Sequence, residues 1–109
     1  MLKQLLFLFT FSFPALAVAQ PDLEKQLQTQ LILAEDGDVI EWPAGKITLS
    51  NTLSLDAKSN ITIKGAGQEK TILSFKNQKQ GAEGLKVTNA QNIVLQDFTI
   101  EDSKGDLIK

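Results

Sequence analysis

Two stretches of the chain, 32 residues apart, carry the same strand–bend–strand pattern. Leu53-Ser54-Leu55 followed by Asn60-Ile61-Thr62-Ile63 returns as Leu85-Lys86-Val87 followed by Asn92-Ile93-Val94-Leu95. A shorter offset is also present. Gly84-Leu85-Lys86-Val87 returns near Gly105-Asp106-Leu107-Ile108-Lys109, with Leu107 22 residues after Leu85, and Ile40 lies 21 residues before Ile61. A unit of about 22 residues with one expanded turn accounts for both offsets. The extra residues of the long unit, Lys64 to Lys70 and Lys76 to Gly84, are mostly polar and are expected as surface loops.

That period limits the fold. Three short strands with bends between them complete one turn of a solenoid in about twenty-odd residues. Equivalent strands of successive turns then stack in parallel, about 4.8 Å apart. Leu53, Leu55, Ile61 and Ile63 are expected over Leu85, Val87, Ile93 and Leu95, with Asn60 stacked on Asn92 at a bend. The remaining apolar runs fit the same scheme: Val39 to Trp42, Lys46 to Leu49, Thr71 to Phe75, Phe98 to Ile100 and Leu107-Ile108. Most alternate apolar with polar residues, as a strand with one buried face does. No connection between them has room for a crossover helix. The competing fold is a small antiparallel sandwich, which does not require strand and bend to recur together.

One helix precedes the strands. Leu23, Leu27 and Leu31 recur every four residues between Pro21 and Ala34. Asp22 is expected as its cap and Gly37 as its left-handed terminator. The leucine stripe either folds against the chain's own strands or binds a partner, and the amphipathic pattern favours the first.

Residues 1–19 read as a secretory signal peptide. Lys3 precedes the apolar run Leu5 to Phe13, Pro14 breaks it, and Ala17-Val18-Ala19 places cleavage before Gln20. The uncharged span Gln4 to Pro21 is diluted by polar residues and falls short of a spanning helix, so no stable membrane span is expected after cleavage. The chain thus divides into a leader (1–19), a capping helix (20–36) and the first turns of a coiled strand domain (37–109). The mature chain of 90 residues carries a formal charge of −3. That balance excludes an ordinary basic nucleic-acid binder. Lipidation of a lipoprotein kind is excluded because there is no Cys.

Gly37-Asp38-Val39-Ile40-Glu41-Trp42-Pro43-Ala44-Gly45, then Leu53-Ser54-Leu55, then Asn60-Ile61-Thr62-Ile63-Lys64-Gly65-Ala66-Gly67, resembles the start of secreted right-handed parallel β-helix proteins of the pectate-lyase-like superfamily. Glu83-Gly84-Leu85 through Lys109 resembles their later turns. The likeness runs from about Gln26 to Lys109 and departs at Lys46-Ile47, where many members have a Thr-Tyr pair. It implies an all-β fold: a right-handed parallel β-helix with a short N-terminal capping helix, continued in a longer protein and monomeric when complete. It also implies an exported, secreted or periplasmic protein that acts on or binds acidic polysaccharide as a lyase, epimerase or hydrolase. Calcium is compatible with such a parent protein. The alternative is a non-catalytic scaffold or binding module.

The residues themselves offer little chemistry. There is no His, no Cys, no Tyr and no Arg. β-Elimination needs a base and a positive charge to hold the developing anion, and a lysine base needs strong burial. Gly65-Ala66-Gly67 lacks the third glycine and following helix of a dinucleotide loop, and Lys70-Thr71 lacks the glycines of a phosphate loop. Asp97, Glu101, Asp102 and Asp106 form the densest acidic group, without the spacing of a calcium loop. Lys76, Lys79, Lys86 and Lys104 are placed to attract a polyanion or to guard a sheet edge. Trp42, beside Pro43, either stacks on a sugar or packs on the first turn. No catalytic, cofactor-binding or metal-binding residue is named, and this stretch is expected to be inactive by itself.

Overall fold

The computed structural model describes the chain from residue 20, so the expected leader lies outside the described residues. Among the described residues, eight strands follow one helix, α1 (Gln20–Leu33). They fall into successive groups of three, which we call rungs. Rung 1 is β1 (Val39–Glu41), β2 (Gly45–Thr48) and β3 (Asn51–Asp56); rung 2 is β4 (Ser59–Lys64), β5 (Thr71–Ser74) and β6 (Gln80–Thr88). Rung 3 is β7 (Gln91–Gln96), β8 (Thr99–Glu101) and a single parallel bridge from Ile108 to Leu85.

Rungs 1 and 2 each lay one strand on each of three sheets, and rung 3 adds a strand to the first two: β1-β4-β7, β2-β5-β8 and β3-β6. Every pairing is parallel, which removes the antiparallel sandwich. The 32-residue offset is a structural register, since Leu53 pairs with Leu85, Leu55 with Val87, Ile61 with Ile93 and Ile63 with Leu95. The shorter offsets are corrected by one or two residues. Leu85 pairs with Ile108, not Leu107, and Ile40 pairs with Ile63, not Ile61. Counting along the chain assigned the corners equal lengths, and the corners differ.

The core is a set of aliphatic columns between the sheets. Leu53, Leu55, Ile61, Ile63, Leu73, Phe75 and Leu85 are essentially inaccessible. Each such side chain contributes roughly 1.5–3 kcal/mol by leaving water. On rung 3 the equivalent residues Ile93, Leu95, Phe98 and Ile100 are only partly buried.

Helix α1 closes the rung 1 end. Leu27 and Leu31 are buried and Leu23 packs beside them, so the leucine stripe folds onto the chain's own core. The helix begins at Gln20, which places Asp22 inside the first turn and not ahead of it as a cap. Gly37 follows with φ +94°, a conformation that glycine adopts without strain.

The helix side chains also complete the open edge of β3. Gln28 acts as a short stand-in for a neighbouring strand: its amide donates to the Ser54 carbonyl (3.0 Å) and its Oε1 accepts from the Ser54 N–H (2.9 Å). Glu24 accepts the N–H groups of Ser50 (3.1 Å) and Asn51 (2.9 Å). Lys58 returns the favour at the helix C-terminus by donating to the carbonyls of Ile32 (2.7 Å) and Ala34 (2.8 Å), which have no partner within the helix. An edge strand left bare would invite pairing with another chain.

Candidate functional site

The corners between strands hold the polar groups, and three of them are built differently. At the β3–β4 and β6–β7 corner, Asn60 and Asn92 adopt left-handed angles (φ 58° and 57°), which Asn tolerates better than most residues. Their amides form a ladder: Asn92 donates to Asn60 Oδ1 (3.0 Å) and Asn60 donates to Asp36 Oδ1 (2.6 Å). The expected Asn60–Asn92 stack is present, and Asp36 ends it. Beside it, Asp56 accepts from the Thr88 hydroxyl and from the Asn89 amide (3.1 Å). Those two donors, Thr88 first, hold the Asp56 carboxyl below its ordinary value.

At the β1–β2 corner, Trp42 is buried and its ring lies 5.1 Å from that of Phe98, tilted by 59°. Trp42 therefore packs inside and offers no stacking face to a sugar. Its Nε1 has no hydrogen-bond partner among the described residues. Gly65 lies between these two residues along the stack, since Trp42 N–H bonds the Lys64 carbonyl and Gly65 N–H bonds the Gln96 carbonyl. A Cβ on Gly65 would stand 2.3 Å from the Asp97 carbonyl oxygen. Gly65-Ala66-Gly67 is a tight turn. Thr71, fully buried, pins it by accepting from Ala66 N–H (2.8 Å) and donating to the Pro43 carbonyl (2.9 Å). The Lys70-Thr71 pair has this structural task.

The third corner, between β5 and β6, carries the lysines. Residues Lys76 to Gly84 do not form one loop, because β6 already begins at Gln80. The strand register breaks between Asn51 and Leu53, where β6 holds the extra residues as a bulge. Buried Gln78 secures that bulge. Its Nε2 reaches the Glu83 carbonyl (2.8 Å), Thr52 Oγ1 (3.1 Å) and the Gln80 carbonyl (3.3 Å), while its Oε1 accepts the Lys104 N–H (3.2 Å). Lys79 N–H bonds the Ser50 carbonyl at the same corner (2.7 Å). Lys76, Lys79 and Lys104 are exposed there, alongside exposed Asp102 and Asp106. Lys86 stands apart on β6.

Glu83 is half-buried on β6. Its own backbone N–H lowers its carboxyl pKa most and burial opposes that, with Lys86 and Lys109 lowering it further. Lys109 Nζ lies 3.8 Å from its carboxylate.

The acidic residues do not assemble. Glu101 pairs with Lys46 across the sheet at 3.2 Å, while Asp97 and Asp102 occupy separate left-handed corners (φ 64° each). Among the described residues no group of three or more carboxylate, His or Cys side chains is placed to hold a metal ion. An open cleft of about 570 Å³ lies between α1 and β3, where Glu24 and Gln28 are already committed to the strand edge.

No family model, no curated protein and no solved structure matches this chain.

No described helix is long and apolar enough to cross a membrane. Gln78, Glu24, Gln28 and Lys58 were not singled out from the sequence. Each acts on a residue at least two dozen positions away, except for Gln78's contacts within its own corner. Such links leave no local pattern.

Proposed function

We propose that the chain is a helix-capped, right-handed parallel β-helix module of an exported protein and that it binds acidic polysaccharide without performing chemistry on it. The parallel rung-on-rung register supports the β-helix reading, and the resemblance to pectate-lyase-like proteins supports export and the substrate class. The observation that carries binding is the corner organised by Gln78, which brings the exposed Lys76, Lys79 and Lys104 to one edge of the stack. Ammonium groups on a supported loop attract a polyanion, and salt screens that attraction. Binding is favoured over catalysis because the chain has no His, Cys, Tyr or Arg, and its carboxylates are dispersed.

The test is affinity electrophoresis in gels containing polygalacturonate, alginate or neutral dextran. Retardation by the acidic polymers alone, relieved by salt and lost in the Lys76→Glu/Lys79→Glu/Lys104→Glu variant, supports the reading. Equal mobility in all three gels removes it. Export is tested by the mass of the protein recovered from outside the cytoplasm, which lacks residues 1–19 when the leader is cleaved before Gln20.

A further inference from the structure

The joint between α1 and β1 carries a dipeptide able to react with itself. Asp36-Gly37 is the only Asp-Gly pair in the sequence, and no Asn-Gly pair occurs. A glycine that follows an aspartate leaves its nitrogen unshielded, because it has no Cβ. The fold adds no shield. Both residues are exposed, and a Cβ on Gly37 would meet nothing within 4 Å.

The pair sits at the centre of a turn closed by its neighbours. Asp38 N–H bonds the Glu35 carbonyl (2.9 Å), and Asp38 Oδ2 accepts from Glu35 N–H (2.8 Å). The two groups that could react are both gripped by one residue of rung 2. The Asn60 carbonyl accepts from Gly37 N–H (2.9 Å), and the Asn60 amide donates to Asp36 Oδ1 (2.6 Å). The first bond retains the proton that the nitrogen must lose to attack. The second holds the carboxylate against Asn60. Asn92 steadies Asn60 in turn by donating to its Oδ1 (3.0 Å). Water reaches the place through an open cleft of about 470 Å³ that Asp36, Asn60 and Asn92 help to line.

We infer that Asp36-Gly37 is a self-modification site, which forms isoaspartate through a succinimide when Asn60 releases it. The Gly37 nitrogen bonds to Cγ of the protonated Asp36 carboxyl, and the Cγ–OH bond breaks. The hydroxyl leaves with the amide proton as water. Water then adds back and reopens the five-membered ring. Reopening at the Asp36 main-chain carbonyl leaves the chain running through Cβ and Cγ, one methylene longer. Water is the only co-reactant, and the mass is unchanged. The longer link displaces Gly37 from Asn60, so conversion loosens the helical cap from the stack. This inference does not rest on the polysaccharide reading.

The purified protein is incubated in mildly acidic buffer, with and without denaturing urea, and then digested. Isoaspartate at residue 36 is read by electron-transfer fragmentation, which cleaves its extra backbone C–C bond and yields fragments that aspartate does not. Conversion is expected at least about tenfold slower in the folded protein than in urea. Asn60→Gly tolerates the left-handed backbone and keeps the carbonyl, so it removes the amide alone. Folded Asn60→Gly is expected to convert several-fold faster than the parent, and Asp36→Glu not to convert at this position. Urea below the unfolding transition supplies a test on the parent chain: Gly37 amide exchange and conversion are expected to quicken together. The converted protein is expected to exchange faster at Ser54, which Gln28 covers. Equal conversion with and without denaturing urea overturns the inference, as does a lack of isoaspartate at residue 36 in the unfolded chain. A folded Asn60→Gly variant that converts at the parent's rate overturns the role of Asn60. So does Gly37 exchange that quickens while conversion stays constant. Unchanged Ser54 exchange after conversion overturns the loosening of the cap.

Discussion

Trp42 and Phe98 touch across an entire rung, their ring centroids 5.1 Å apart, because the residue between them is Gly65. An aromatic pair of this geometry adds about 0.5–1.5 kcal/mol beyond its buried area. The contact joins the first and third rungs directly, so the corner is tied through the gap that a missing side chain leaves.

Gly65→Ala is expected to destabilise the protein by about 2–3 kcal/mol, the upper range for overpacking, because its Cβ would meet a backbone carbonyl that cannot rotate away. Urea denaturation checks this as a lower midpoint at unchanged slope. A variant as stable as the parent would remove the close approach at this corner.

Gln78 serves three acceptors and one donor from a buried position. Gln78→Leu leaves the Glu83 carbonyl and the Lys104 N–H without it, at a cost of about 1–3 kcal/mol. Gln78→Glu is expected to be worse near neutral pH, since an acceptor replaces the donor facing the Glu83 carbonyl. Its deficit should shrink as acid protonates the new carboxyl. Thermal melts of the two variants across pH distinguish these outcomes.

Asp56 sets a pH dependence whose sign follows from its lowered pKa. A carboxyl depressed in the folded state contributes stability above its unfolded value, and that contribution is lost as pH falls through the folded value. Thr88→Val removes the hydroxyl that lowers the Asp56 pKa most. The variant is expected to be less stable than the parent at about pH 7, and the gap is expected to close toward about pH 2. Urea midpoints at both pH values test it, and a gap that widens in acid contradicts the assignment.

The helix cap has its own signature. Gln28→Ala strips both partners from the Ser54 backbone, and Glu24→Ala strips those of Ser50 and Asn51. Each is expected to cost about 1–2 kcal/mol. Amide exchange should quicken at Ser54 and at Ser50 respectively, while Ile63 in β4, the middle strand of its sheet, stays protected. Uniform quickening would mean that the helix is not a local closure.

Leu53 over Leu85 and Ile61 over Ile93 were legible because both lie in stretches whose strand and bend recur intact. Asn60 and Asn92 were legible for the same reason, helped by the tolerance of Asn for left-handed angles. Ile108 was misplaced by one residue because the bulge in β6 and the bend after β8 change the spacing without changing composition. Gly81 to Gly84 reads as loop, yet it belongs to β6, held there by Gln78 from outside the strand. Trp42 had two readings from its neighbour Pro43, and only its contact with Phe98, far along the chain, decides between them.

The imitation of a strand by Gln28 has a temporal side. The helix that seals one margin precedes every rung in the chain, so a ribosome delivers the lid before the layers it covers. Each later layer thus has an earlier one to land on whose β3 edge is already closed by Glu24 and Gln28, which narrows the places where an emerging strand could mispair.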